Sequence, residues 1–304
     1  MKKQVIIEIG TNSIKAMSAE RLHGTWRILS HEVYPARLGE GLHHSGKLSI
    51  SAMQRNLQVL EQIIHELPDR NTADVHIIAT EGLRKAINAD TFTTAVMQRF
   101  GLSVKILSGE EEAGYSYLAA TWGRTASNHA ICVLDIGGGS TELALGKTAE
   151  ILQHISLPMG AVVLTERFIT GDPPSGEEVR QMQEFALKTL SGFEPVQKTD
   201  ELVAIGGTVT TLARISGYAT SPGAVSNADN NGMPLSLKEV QRLVGLFSQM
   251  PVSRIKKMPG MPQGRADIIL AGAIILEAAM LHLETQETTV SNRGVRYGYL
   301  FSLS

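Results

Sequence analysis

A single cysteine among 304 residues excludes an internal disulfide. Cys132 falls inside the apolar run ICVLDI, so a buried thiol in a reducing cytoplasm is expected. The net charge is only −2, which excludes a general attraction to nucleic acid or to an acidic membrane; a polyanion would need a local basic patch. No apolar run reaches the roughly 18 residues of a membrane span. The opening MKKQVIIEIG is basic, but its apolar stretch is too short for a signal peptide. No Gly-Lys-Ser/Thr follows any glycine-rich loop, which sets aside an ordinary P-loop. A Gly-x-Ser-x-Gly elbow and a Cys-His nucleophile pattern are also missing. His43 and His44 lack a third ligand at metal spacing and read as loop residues.

What the chain does have is a duplicated device. VIIEIGTNSIKAMS starts at Val5, and CVLDIGGGSTELAL starts at Cys132. Aligning Ile9-Gly10 on Ile136-Gly137 sets Glu8 opposite Asp135 and Ser13 opposite Ser140, a constant offset of 127 (135 − 8). Each copy reads as a strand ending in a carboxylate, a turn of small residues and a second strand. Two such turns, Gly10-Thr11-Asn12-Ser13 and Gly137-Gly138-Gly139-Ser140-Thr141, can hold phosphates from two sides through N–H groups and hydroxyls.

The 43 % hydrophobic and 19 % charged content fits globular domains with real cores, and the length suits two of them. Short apolar strands alternate with amphipathic helices, which predicts an α/β protein. Met53, Leu57, Leu60, Ile64 and Leu67 recur at helical spacing before Pro68. Strands are expected at VHIIAT and VKIL, with a helix between them from about Asp90 to Gly101. The stretch TASNHA reads as a connector and SNADNNGMP as a polar loop. Further helices are expected at about 163–168, 177–190 and 236–250, and through ADIILAGAIILEAAM.

Three further groups of residues could carry chemistry. Gly206-Gly207-Thr208 joins a strand to a helix; it is either a plain tight turn or an anion site at a helix N-terminus. Glu110, Glu111 and Glu112 open a helix, where acids stabilise the macrodipole, and one of them is also a candidate base. Arg84, Arg265, Arg293 and Arg296 are candidate clamps, since a guanidinium binds two phosphate oxygens at once.

In this order the motifs resemble the exopolyphosphatase/guanosine pentaphosphate phosphohydrolase (Ppx/GppA) family, across nearly the whole chain. EIGTNSIK resembles its first phosphate loop and DIGGGSTEL its second. ATEGLRKAIN resembles its arginine motif, and LSGEEEA its catalytic glutamate motif. SLPMGAVVLTERF, AIGGTVTTLA, GRADIILAGAIIL and VSNRGVRYGYL follow in family order. This chain departs at Glu8, where the family usually has Asp, and at Glu81, where it usually has Ser. It departs again at Tyr297 and Tyr299, where charged residues are usual.

The resemblance implies two actin-like domains, 1–126 and 127–304, around a cleft, with the last helix packing back on the first domain. The length resembles the short, two-domain form. The implied activity is hydrolysis of the terminal phosphoanhydride of inorganic polyphosphate. Guanosine pentaphosphate hydrolysis, phosphotransfer to a nucleoside diphosphate and a sensor with weak turnover are the alternatives. The implied cofactor is Mg²⁺, with Mn²⁺ as a substitute, held by Glu8, Asp135 and Glu142. Glu111 is the expected base and Glu112 the second choice; Arg84 and Arg265 would neutralise charge. The two loops, with Gly207 and Thr208, would bind phosphate. Polyphosphate or a phosphorylated guanosine nucleotide is the expected partner, with no nucleic acid and no membrane; a homodimer is allowed for.

Overall fold

The computed structural model describes residues 3–67, 73–125, 128–148, 150–220 and 231–303. Pro68, the middle of the TASNHA connector, the 126/127 boundary and most of the SNADNN loop lie outside the described residues.

The first half builds β1 (Gln4–Ile9), β2 (Ser13–Leu22) and β3 (Thr25–Pro35), then α1 (Leu42–Ser45) and α2 (Ile50–Glu66). It continues with β4 (Asp74–Ala79), α3 (Glu81–Arg84), α4 (Ala89–Phe100), β5 (Val104–Ile106) and α5 (Gly109–Thr121). The second half holds β6 (Ala130–Ile136), β7 (Thr141–Lys147), β8 (Glu150–Leu157), α6 (Ala161–Phe168) and α7 (Gly176–Leu190). Then come β9 (Glu201–Ile205), α8 (Gly207–Thr220), β10 (Pro234–Ser236), α9 (Leu237–Phe247) and α10 (Val252–Ile255). The chain closes with α11 (Ile269–His282), β11 (Glu287–Ser291) and α12 (Val295–Ser302).

The strands form two mixed sheets, β3-β2-β1-β4-β5 and β10-β11-β9-β6-β7-β8. The duplication seen in the sequence is a duplication of sheet pattern. In each, a three-strand antiparallel meander is joined by its first strand to parallel strands: β1 to β4 and β5, β6 to β9 and β11. Even the register breaks match, at Ser18/Ala19 in one meander and Leu145/Gly146 in the other, again 127 apart (145 − 18). This is the α/β class that the alternating pattern predicts.

Local signals set the helices. Ser49 caps α2 by accepting the Ala52 N–H at 3.1 Å, and Leu60, Ile63 and Ile64 turn inward. Gly101 ends α4 at φ 69°, a conformation costly for other residues. The strongly apolar α11, with only Glu277 and His282 polar, is packed against α6, α7, α8 and α9, which is why it shows no polar face. Burying each of Ile274, Ile275 and Leu276 there contributes about 1.5–3 kcal/mol. Cys132 sits in the same core, and burial pushes its thiol up to about 12. A third cluster joins Ile6, Met17, Ala19 and Ile78 of the first sheet to Val295, Leu300 and Phe301 of α12. Helix α5 lies between α12 and the second sheet, touching β6, β7 and β8. Short β10, α1, α3 and α10 have too few residues to show a period, and the sequence reading missed them.

Candidate active site

Both duplicated turns leave the carboxyl ends of central strands, where α/β sheets place ligands. Gly10 N–H donates to the Ser13 carbonyl at 3.0 Å, and Gly137 N–H to the Ser140 carbonyl at 3.0 Å. Four further loop carbonyls are occupied. Those of Thr11 and Asn12 accept from Gly39, Ala36 and Arg37, and those of Gly137 and Gly138 accept from the first turn of α6. The N–H groups of Thr11, Asn12, Gly138 and Gly139 donate to no acceptor among the described residues. The tips face each other closely: a Cβ at Gly138 would lie 3.1 Å from Thr11 Cβ and 3.3 Å from Asn12 N. Four unused donors therefore lie on two tips in contact, the raw material of an anion-binding nest.

Beneath the loops lie four carboxylates, Glu8, Glu112, Asp135 and Glu142, each less than a tenth exposed. Glu8 pairs with Lys15, its cross-strand neighbour on β2. Asp135 and Glu142 are the matching cross-strand pair on β6 and β7. Ser116 of α5 donates to Asp135 Oδ2 at 2.7 Å, and Ser156 of β8 to Glu142 Oε1 at 2.7 Å. Arg84 of α3 donates to Glu112 Oε2 at 2.9 Å and lies 3.9 Å from Glu142. Its other bond, to the Leu107 carbonyl at 2.8 Å, fixes its direction.

The proton affinities follow from burial and crowding. Burial raises Glu112 to about 7 against the pull of Arg84, and Asp135 and Glu8 add to the rise. Glu142 stands well above the carboxylate range through burial, then Glu112 and Asp135. Asp135 is raised by burial, which the Lys15 charge and the Ser116 hydroxyl only partly offset. Glu8 differs. Burial would raise it, but Lys15 and then Arg296 outweigh that and hold it below the usual range.

Several expected residues stand elsewhere. Glu111 is not in the cluster: it closes a capping box with Ser108, accepting the Ser108 N–H at 2.9 Å, and pairs with Lys105 at 2.7 Å. Glu112, one residue on, faces inward with Ser116 at i+4. The spacing Ser108-x-x-Glu111 is itself the capping-box signature and was the available signal. Thr141 gives its hydroxyl to the Met159 carbonyl at 2.6 Å and so offers no donor to a phosphate. Thr208 is buried against Gly272 of α11, so its hydroxyl too belongs to the core. Ser140 is buried and turns its side chain to Glu142.

The third glycine element does reach the site. Gly206 has φ +104°, and a Cβ there would lie 2.6 Å from the Ile136 carbonyl and 3.3 Å from Asp135 Oδ1. The Arg265 guanidinium rests against Gly207, so a side chain there would have to displace it. Burial, then Arg214, lowers Arg265 to about 10. Residues the sequence reading did not place are Lys15, Ser116 and Ser156. Arg296 is buried beside Glu8, and its Nε and Nη1 have no partner. Arg293 uses its backbone N–H on Ser291 at 3.2 Å. His43 and His44 stack edge to face in α1.

A hard divalent cation fits part of this donor set. Glu8 Oε2 and Glu142 Oε2 are buried without a hydrogen-bond partner, and each is an oxygen ligand of the kind Mg²⁺ takes. No three His, Cys, Asp or Glu side chains converge on a metal position among the described residues. The arrangement suits a cation held by one or two carboxylates and completed by water and phosphate, not a protein cage.

With the geometry in place, comparison with known proteins identifies the class. Residues 17–304 match the Ppx/GppA phosphatase family, and the chain belongs to it. It is 30 % identical to Exopolyphosphatase 2 of Mycobacterium tuberculosis, over 98 % of this chain and 97 % of that one. The Aquifex aeolicus PPX-GPPA enzyme superposes with a TM-score of 0.81 at 32 % identity, covering 99 % of each chain. An exopolyphosphatase from Cytophaga hutchinsonii shares the fold with a TM-score of 0.91 at 23 % identity, covering 99 % of this chain and 97 % of that one.

Proposed function

We propose that this protein is a hydrolase that cleaves the terminal phosphoanhydride bond of inorganic polyphosphate and releases orthophosphate. The observation that carries this reading is the junction of two glycine loops, rich in unused N–H donors, over four buried carboxylates. The name of the M. tuberculosis relative supports polyphosphate as the substrate.

Each residue then has a physical task. The N–H groups of Thr11, Asn12, Gly138 and Gly139 hold the terminal phosphate between the loops. Arg84 and Arg265 spread the charge that develops during transfer, where positioning and electrostatics supply most of the catalysis. Glu112 orients the attacking water and takes its proton; a base poised near neutral pH suits that task. Arg84 fixes the Glu112 carboxylate, so one guanidinium serves both the phosphate and the base. One or two of Glu8, Asp135 and Glu142 would hold Mg²⁺, or Mn²⁺ in its place, with water and phosphate completing its shell; when bound it supplies charge neutralisation at the phosphate oxygens.

The two domains of this reading are 1–126 and 127–304, with α12 packed on the first sheet. No helix among the described residues is long and apolar enough to cross a membrane. A reducing cytoplasm suits the buried thiol of Cys132.

The test is phosphate release from long polyphosphate, tripolyphosphate and guanosine pentaphosphate, side by side, with and without Mg²⁺. Long polyphosphate should be cleaved fastest and only with the cation. Faster cleavage of guanosine pentaphosphate would overturn the substrate assignment. Tight binding with no phosphate released would overturn the enzymatic one.

A further inference from the structure

The space between the two loops already holds a carboxyl group of the protein's own. Glu81 opens α3 directly after β4 and is 8 % exposed. Its Oε2 lies so close to Gly139 that a Cβ added there would collide with it, and Thr11 Oγ1 lies 2.7 Å from the same point. Gly138, next along the loop, is packed against Thr11 and Asn12. The carboxylate is therefore enclosed by both tips, beside the N–H groups that have no acceptor. No ion pair or side-chain hydrogen bond ties Glu81 down among the described residues; burial raises its carboxyl, and the charges of Arg84 and Lys85 only partly offset that.

A carboxylate and a phosphate compete for the same space between the tips. Both are oxyanions, and like charges repel strongly when placed together in a poorly hydrated space. We propose that Glu81 is a resident competitor for the phosphate seat: its carboxylate occupies the space between the loops and must swing out before a polyphosphate end can enter. This rests on the reading of the loops as the phosphate seat. The consequence is a weakened affinity for highly charged chains, set by one side chain and not by the loops themselves.

The test is calorimetric binding of tripolyphosphate, with and without Mg²⁺, to wild type, Glu81→Ser, Glu81→Gln and Gly138→Val, each checked by melting. Relief of a like-charge contact should tighten binding by about tenfold or more in Glu81→Ser, whether or not the cation is present. Glu81→Gln keeps the bulk and loses the charge, so it should fall in between. In turnover with polyphosphate, Glu81→Ser should lower KM. Unchanged or weaker binding by folded Glu81→Ser overturns the proposal; a loss seen only with Mg²⁺ would make Glu81 a cation ligand instead. Gly138→Val separates the two levels. If it binds as wild type does, or if no protein binds at all, the loops are not the phosphate seat and the underlying reading falls with the proposal.

Discussion

Lys15 and Glu142 occupy the same position in the two copies of one hairpin, 127 residues apart (142 − 15). Lys15 faces Glu8 across β1 and β2, and Glu142 faces Asp135 across β6 and β7. One copy sets an ammonium beside its carboxylate; the other sets a second carboxylate there. The inherited geometry is shared and the charge is not. Glu8 is accordingly held ionised, while Asp135 and Glu142 are pushed toward the protonated form.

Lys15→Met should destabilise the cation-free protein by at least about 2 kcal/mol, because it leaves the buried Glu8 charge without its main partner. Urea unfolding at pH 7.5 in a chelator measures this. The double variant Glu8→Gln, Lys15→Met should recover part of the loss. Additive losses in that cycle would mean that the pair does not interact.

Glu112→Gln should lower kcat by about 10² to 10⁴ with little change in tripolyphosphate binding, as expected when a base is removed. Glu111→Gln should keep turnover within a few-fold and cost at most about 1 kcal/mol through its cap. Steady-state kinetics with thermal melts on both variants separates the two. A catalytic loss confined to Glu111→Gln would reverse the assignment.

The raised Glu112 carboxyl has a sign consequence. Its folded value, about 7, lies above the ordinary 4.5, so between those values the folded state binds more protons than the unfolded one. Stability should therefore fall as pH rises from about 5 to about 8, in the absence of divalent cation. Glu142 acts in the same direction. Melting across that range in a chelator should show the fall, and Glu112→Gln should flatten it. A wild-type melting temperature that rises with pH would refute the cluster's charge state.

Ser116→Ala removes the hydrogen bond from α5 to Asp135 and leaves a buried oxygen unsatisfied, a loss of about 1–3 kcal/mol. It should also raise the Mg²⁺ concentration needed for half-maximal phosphate release, since Asp135 is left less oriented. Denaturant unfolding and a Mg²⁺ titration on the same preparation check both effects. A variant with wild-type values in each would make Ser116 a bystander.

The sequence revealed what repeats and what has a period. The 127-residue offset gave both loops, and apolar spacing gave α2, α4 and α7, because burial on one face leaves a periodic trace; α11 showed instead as a strongly apolar stretch. The capping-box spacing of Ser108 and Glu111 could have set Glu111 aside, but only tertiary packing selects Glu112 over Glu110. Nor could the sequence show that Thr141 and Thr208 spend their hydroxyls in the core. Lys15 reads as one more surface base until the strand register places it opposite Glu8. Glu81 appeared only as a departure from a family pattern, and its meaning lies in its contact with Gly139.

The packing of α12 on the first sheet orders events during synthesis. Ile6, Met17, Ala19 and Ile78 emerge from the ribosome early, yet their cover includes Val295, Leu300 and Phe301, some 289 residues after Ile6 (295 − 6). Until α12 arrives, the nascent first half carries an apolar face covered only in part, by residues such as Leu107 and Ala119, a surface that chaperones and aggregation both exploit. Premature termination anywhere ahead of Val295 would therefore cripple the half of the molecule that had already been made.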